Sequence, residues 1–414
     1  MPNTLVTPSM IAKEALMQLE NNLVFANQAY RTYEKDFSGG QGSTVSIRRP
    51  VKFYTADGAT RVNQDAEEKT TNIVVDQRKH VSWKFSTQDL TLTIEEYSKR
   101  YIAPAMITLA NTVDRAGMNL YRTVWNAVGT PGTTPSTFAS VALAAQRLDE
   151  MAVPGDSRTM CLNPAARYAV AGNQLTLDSV GTKGKSAYEK ALLGEVAMFD
   201  TYSTQNIPNH TVGVATGTPL VNGASQAVTY ANAVGTNWSQ SLITDGWTNS
   251  TANILRAGDV FTIAGVFAVN PVPGEGTTGK LVMPYLQQFT VLADATSGAT
   301  TGPATLTISP PMITSGPFQT VTAAPADNAA IVVLGTGGAI YPQNLGFHKN
   351  AFALVTVPLE MPDGAAFKAR ESANGLSVRV VKDYDIDTDD DIIRLDILYG
   401  WKAIYPDLAC RLVG

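Results

Sequence analysis

The sequence predicts an α+β protein whose helix-and-sheet body carries an inserted small all-β domain. Three observations predict it: a helical apolar stripe between Thr93 and Val128, several short runs of period-two alternation, and an abrupt fall in charge between Val212 and Ala330. At 414 residues the chain is long enough for two cores, because a single core stops growing at about 250–300 residues.

Composition narrows the function classes. Apolar residues make up 44% and charged residues 16%, which fits a folded chain and not a disordered one. So few charges leave surface suited to an oligomer interface, where charged residues are depleted. A net charge of −5 implies no basic face for nucleic acid. Two cysteines, Cys161 and Cys410, make no disulfide framework, so a reducing compartment is expected. The N-terminal stretch lacks a basic segment followed by an apolar core, and no run of about 18 apolar residues occurs. A soluble chain that stays where it is made, with no membrane partner, is the expectation.

Residues 9–29 read as an amphipathic helix with Ser9 as N-cap and Ile11, Ala15, Leu19 and Leu23 at a spacing of four. A short helix cannot bury this stripe alone, so it packs on its own body or on a neighbour. After Gly39-Gly40-Gln41-Gly42 comes a strand-like Ser43–Arg48, then a charged irregular stretch to about Thr70. A second alternating run, Thr71 to Phe85, places Ile73, Val75, Val81, Trp83 and Phe85 on apolar positions. More than twenty turn-rich residues between the two strands make an extended hairpin too long for an ordinary connection. Such a loop is either disordered or laid across another surface.

The helical signal of Thr93–Val128 rests on Ile102, Met106, Leu109, Val113, Leu120 and Val124. Pro104 removes a backbone donor there and predicts a kink or a break. Beyond it about 24 residues would span roughly 36 Å at 1.5 Å each. Residues 130–211 form a mixed module: Thr137–Met151 helical, Arg158–Leu162 strand, Pro164–Ala171 helical and Tyr188–Leu193 helical.

Between Val212 and Ala330 only seven of 119 residues are charged: Asp245, Arg256, Asp259, Glu275, Lys280, Asp294 and Asp327. The short β-branched runs Val260–Val269, Gln288–Ala293 and Ala304–Ser309, with turn signals between them, predict a small barrel or sandwich. Afterwards Ile331–Leu334, Ala351–Val357, Ser377–Asp385 and Ile392–Ile404 return to well-patterned α/β sequence.

The chemical motifs fail on inspection. Gly184-Lys185-Ser186 resembles the end of a phosphate loop, but Ser179 stands where its first glycine belongs. Gly335-Thr336-Gly337 opens a dinucleotide fingerprint that Ile340 breaks. The acidic run Asp385-Ile386-Asp387-Thr388-Asp389-Asp390-Asp391 spaces Asp396 like the last ligand of a calcium loop. Asp390, however, occupies the turn glycine's place, and the last ligand should be Glu. A solvated hairpin tip is the reading. His80, His210 and His348 show no metal-ligand spacing. Sequence order leaves a Ser-His-Asp arrangement open, but no nucleophile-elbow motif occurs. No catalytic residue, metal or cofactor is expected.

Three C-terminal runs carry a resemblance: Gly346-Phe347-His348-Lys349-Asn350-Ala351-Phe352-Ala353-Leu354-Val355-Thr356-Val357-Pro358-Leu359, then Gly375-Leu376-Ser377-Val378-Arg379-Val380-Val381, then Arg394-Leu395-Asp396-Ile397-Leu398-Tyr399-Gly400-Trp401-Lys402. These resemble the coat proteins of short-tailed phages of the P-twenty-two type. The order of segments matches over essentially the whole chain; the N-terminal half matches by pattern more than by identity. The resemblance implies a Hong Kong 97-like capsid fold: N-terminal arm 1–38, extended loop and flanking strands 39–85, and spine helix of the peripheral domain 86–129. It continues with axial domain 130–211, inserted β-domain 212–330, and axial remainder with return to the peripheral domain 331–414.

The implied function is that of a major capsid protein, not an enzyme. It would self-assemble through repeated heterologous contacts into pentamers and hexamers of an icosahedral shell in the virion, built in the host cytoplasm. Its implied partners are itself, a scaffolding protein and a portal protein, with double-stranded DNA enclosed without sequence-specific binding. Assembly would pass through a scaffolded procapsid that expands, with the spine helix and arm as the changing elements and Pro104 as a bend. The extended loop would lay Arg48, Arg49, Lys52, Arg61, Glu67 and Glu68 over a neighbour, and Glu14 or Glu20 on the arm would meet scaffold. A shell protein of a cellular nanocompartment, with the same fold, is the alternative; a β-rich adhesin would explain 212–330 but not the long helix.

Overall fold

A computed structural model describes residues 8–33, 43–48, 50–56, 58–64, 70–86, 98–177, 190–191, 193–272, 280–365, 367–387 and 390–414. The chain forms two compact units. The first comprises residues 1–47, 72–118 and 352–404; the second comprises 48–71, 119–351 and 405–414.

The first pass through unit one opens with helix α1, Pro8–Asn22, and the short helix α2, Phe25–Gln28. The predicted single helix over 9–29 is therefore two, and Ser9 lies inside α1, not at its cap. Ile11, Ala15, Leu19 and Leu23 are all buried, so the stripe packs on its own unit. Each such Leu contributes about 1.5–3 kcal/mol on burial, which a 15-residue helix marginal in water needs. Strands β1, Thr44–Arg48, and β2, Thr70–Val74, pair as the base of the expected hairpin. The predicted continuous run from Thr71 to Phe85 ends at Val75, whose N–H donates to Ser43 O. A separate strand β3, Gln77–Ser86, then joins a different sheet.

The long helix is shorter than predicted. A π-helical turn, Ser98–Ile102, precedes α3, Ala103–Met118, and a 3-10 turn, Asn119–Thr123, follows it. At 1.5 Å per residue, α3 is about 24 Å long. Residues 93–97 lie outside the described residues. Pro104 is the second residue of α3, where the missing donor is one of those with no intrahelical partner anyway. The irregularity falls before the proline, in the π turn, and the proline lies in the first turn of the α-helix.

Unit two opens with β4, Ala127–Val128, and α4, Phe138–Glu150. The predicted helix Thr137–Met151 forms as α4, with Thr137 as its cap: the Thr137 hydroxyl accepts from Ser140 N, and Ser140 Oγ accepts from Thr137 N. Strand β5, Arg158–Leu162, falls where the sequence puts it, and helix α5, Pro164–Leu177, runs six residues past the predicted Ala171. Of the predicted helix Tyr188–Leu193, residues 188, 189 and 192 lie outside the described residues, while Ala191 and Leu193 are not helical. Strands β6, Glu195–Val196, β7, Phe199–Ser203, and β8, Asn209–Thr211, complete this stretch.

Next come β9, Gly217–Val221, helix α6, Tyr230–Gly235, β10, Gln240–Trp247, β11, Val260–Val269, β12, Val282–Val291, β13, Ala304–Ser309, and β14, Ile331–Val333. Their order is β14-β11-β12-β13-β10-β9, with antiparallel neighbours. An antiparallel bridge between Leu220 and Ala330 links the two outer strands, so the sheet closes on itself. Its interior holds Leu242, Trp247, Phe261, Ile263, Phe289 and Leu306, all 2% exposed or less. Ile331–Val333, which the sequence reading gave to the following segment, pairs with β11 and belongs to this barrel.

Strand β15, Ile340–His348, returns to the seven-stranded mixed sheet of unit two. The chain then re-enters unit one with β16, Phe352–Thr356, β17, Phe367–Ala373, β18, Leu376–Asp385, and β19, Asp390–Ala403. Strand β19 pairs with β18, β16 and β3 in a five-stranded antiparallel sheet, against which α1 and α3 bury one core. Val74 O crosses so close to Gly400 that a Cβ would sit 2.1 Å away, so no other residue fits. Finally β20, Ala409–Val413, lies between β15 and β4 in unit two, where α4 and α5 cover Leu162, Phe199 and Leu412.

Candidate assembly surfaces

The hairpin is held at its base by Ser46 Oγ on Asn72 Oδ1 at 2.7 Å, and further out by Gln64. The Gln64 amide accepts from Tyr54 N at 2.9 Å and donates to Tyr54 O at 2.6 Å, clamping the tip with one side chain. Arg48 and Arg61 are exposed, as are Phe53 and Val62, each about half uncovered. Arg49, Glu67 and Glu68 lie outside the described residues. Lys52 is half-buried against its own unit, with Nζ 5.9 Å from the Phe318 ring centroid.

Lys52 stands at a cavity of about 340 Å³ in unit two. Trp125, Tyr230, Trp238 and Phe318 line it, and the rings of Tyr230 and Phe318 stack 3.7 Å apart at 8°. Lys280, 9% exposed, donates to Gln319 O at 2.9 Å. Burial, aided by the nearby Lys52 charge, pulls the Lys280 ammonium down to about 8. The lining also includes Asp407 and His348, the latter held below the ordinary imidazole range chiefly by burial.

The β18–β19 tip belongs to unit one. Asp387 N donates to Asp385 Oδ1 at 3.0 Å, which turns the chain and leaves Ile386 81% exposed. The remaining acidic residues are committed elsewhere. Lys84 Nζ meets Asp390 at 2.7 Å, Lys382 Nζ meets Asp391 at 3.4 Å, and Asp396 lies deeper in the sheet. Thr388 and Asp389 lie outside the described residues. Among the described residues no group of three His, Cys, Asp or Glu side chains is disposed to hold a metal.

Asp396 is inaccessible to solvent and receives Arg379 Nη2 at 2.6 Å and Arg394 Nε at 2.7 Å. Burial alone raises its carboxyl, but the two guanidinium groups outweigh burial and hold it below the usual range.

On the arm, Glu14 accepts from Gln18 Nε2 at 3.0 Å and is half-buried. Glu20, also half-buried, accepts from Asn374 Nδ2 at 2.8 Å and adds its charge beside Arg31. Both carboxylates therefore have structural work within unit one. The loop residues Arg61 and Lys52 belong to unit two.

A buried polar chain in unit two was not legible in the sequence. Tyr121 Oη lies 2.8 Å from His210 Nδ1, and His210 Nε2 lies 2.7 Å from Asp259 Oδ1. Asp259 Oδ2 accepts from Arg256 N and Gly213 N. Beside it Arg411, 1% exposed, donates to Val124 O, Gly258 O and Thr290 Oγ1. Burial pulls this guanidinium down to about 10, so it stays charged at neutral pH. These residues tie the C-terminal strand to the barrel. With Tyr121, His210 and Asp259 all under 7% exposed, the constellation works as a connector. The one hint in the sequence is Asp259, a charge in a stretch that has almost none.

Comparison with known proteins follows the same lines. The sequence model of the P22 coat protein (gene protein 5) family matches residues 3–414. No curated protein matches the chain. Among solved structures, one titled Mycobacterium phage Che8 is similar at 13% identity, covering 94% of this chain and 90% of that one, with a TM-score of 0.48. The capsid of cyanophage P-SCSP1u is similar at 11% identity, covering 90% and 83%, with a TM-score of 0.42. The mature capsid of bacteriophage PhiM1 is similar at 10% identity, covering 90% and 82%, with a TM-score of 0.41. The mixed helix-and-sheet architecture is the class that the Hong Kong 97-like resemblance implies. The chain belongs to the P22 coat protein family and is a structural shell protein of a bacteriophage capsid.

Proposed function

We propose that this coat protein closes an icosahedral shell of pentamers and hexamers around double-stranded DNA, through repeated heterologous contacts and without any catalytic step. The family match over nearly the whole chain carries this reading. A low charge fraction supports it, since contacts repeated around a ring are built from uncharged surface. A scaffolding protein guides a procapsid that later expands, a portal protein occupies one position, and assembly takes place in the host cytoplasm. The extended loop, with Arg48, Lys52 and Arg61, contributes subunit contacts; exposed ion pairs are each worth at most about 1 kcal/mol, so their repetition around a ring is what matters.

Sedimentation and electron microscopy of the protein mixed with its scaffold test this directly: closed shells are expected, and monomers alone overturn the reading. Scaffold recruitment through Glu14 or Glu20 is tested in the same particles. Glu14→Ala or Glu20→Ala should lower scaffold content several-fold, and unchanged content removes the role.

A further inference from the structure

The cavity of unit two is lined mainly by aromatic and apolar groups, yet two ammonium groups, Lys52 and Lys280, border it. Lys280 is the only lysine between residues 212 and 330, and it is buried there. A buried ammonium beside a second one calls for negative charge, and Asp407 is the one carboxylate in the lining. The matching occupant presents an apolar side chain with carboxylates close on both sides.

Unit one displays such a group at the β18–β19 tip. Asp385, Ile386 and Asp387 follow one another at a turn, and Ile386 is the most exposed large apolar side chain among the described residues. An isoleucine left in water between two carboxylates does nothing for its own hairpin. A nucleic-acid phosphate would satisfy the lysines but leave the rings uncovered.

We propose that this cavity receives the Asp385-Ile386-Asp387 tip of a second copy of the chain, Ile386 entering among the rings and the flanking carboxylates meeting Lys52 and Lys280. The contact joins two different surfaces, so it repeats head to tail and can close a ring. It rests on the shell-assembly reading above and specifies one of its contacts. The depressed Lys280 ammonium agrees with it, since a neighbouring carboxylate would move it back toward the ordinary lysine range.

A carbodiimide cross-linker, which condenses a carboxyl with a contacting amine, tests it on particles co-assembled from ¹⁴N- and ¹⁵N-labelled full-length chains. Peptides joining residue 385 or 387 to residue 52 or 280 should appear with mixed isotopes in particles and be absent from dilute subunits. Ile386→Asp should reduce their yield at least tenfold. Lys52→Asp should lower the yield of the peptides to residue 280 as well, and the added Asp387→Lys change should restore a mixed-isotope cross-link between residues 52 and 387 through the reversed pair. Particles that form without this cross-link, or with same-isotope pairs only, overturn the contact and leave the assembly reading standing. A failure to form any polymer overturns the assembly reading and takes the contact with it. Protection of Lys52 and Lys280 only when DNA is packaged, with no mixed-isotope peptide, assigns the cavity to nucleic acid and overturns the proposal.

Discussion

Asp114, toward the C-terminal end of α3, accepts a hydrogen bond from Ala26 N at 3.0 Å, and its second oxygen accepts from Val24 N at 2.7 Å and Phe25 N at 3.2 Å. One buried carboxylate thus satisfies the free N–H groups at the start of α2 and fixes the bend between α1 and α2. Burial raises its carboxyl above the usual range even though the three donors oppose the rise. Asp114→Ala leaves three donors inside the core without this acceptor. At about 1–3 kcal/mol for each buried donor, partly offset by relaxation, unit one should lose about 2–4 kcal/mol. Urea unfolding followed by tryptophan fluorescence measures the loss; a change under 0.5 kcal/mol would show that the bend is held by packing alone.

Asp396 predicts an acid dependence. Its folded carboxyl lies below the unfolded value of about 3.9, so its contribution is present above that pH. The contribution is lost as pH falls through the folded value. Asp396→Asn removes it and leaves Arg379 and Arg394 facing a neutral group, a cost of about 3 kcal/mol at pH 7. The stability gap between wild type and variant should narrow below pH 4. A gap independent of pH down to 2.5 contradicts the ion-pair account.

Thiol chemistry gives a third check. Cys161 and Cys410 are inaccessible, and burial pushes the Cys410 thiol up to about 12. Neither should react with a maleimide at pH 8 until the chain is unfolded, because the thiolate is the reactive form. Stoichiometric labelling of the native subunit, read by mass spectrometry, would show that unit two opens on the labelling timescale.

The barrel supplies the fourth. Phe261 and Phe289 lie side by side in its interior with centroids 5.8 Å apart. Phe261→Ala should cost about 3–5 kcal/mol by emptying that space. A fragment of residues 212–333 should give dispersed amide resonances and a cooperative melt; a random-coil spectrum would mean that the barrel depends on the rest of unit two.

The sequence by itself determined the elements whose signal is local. The Thr137–Met151 helix and the Arg158–Leu162 strand fall as read, because an apolar helical spacing and a short apolar run bounded by turns depend on neighbours in sequence. The charge-poor stretch marked the barrel for the same reason, and the buried arm stripe followed from a spacing of four. Local pattern failed where a distant group decides the outcome. The arm helix breaks at Val24 because Asp114, ninety residues away, offers its carboxylate there. Gly400 stands in a recognisable C-terminal run, but the reason is Val74 O crossing above it. Pro104 was legible as an interruption, yet only the fold shows that it stands in the first turn of α3, just after the π turn. The cavity with Lys52, Lys280 and Phe318 was invisible to any window, since its walls come from segments more than two hundred residues apart. Tertiary structure alone decides such sites, because packing free energy depends on which surfaces meet, and spacing along the chain records only which residues are near in sequence.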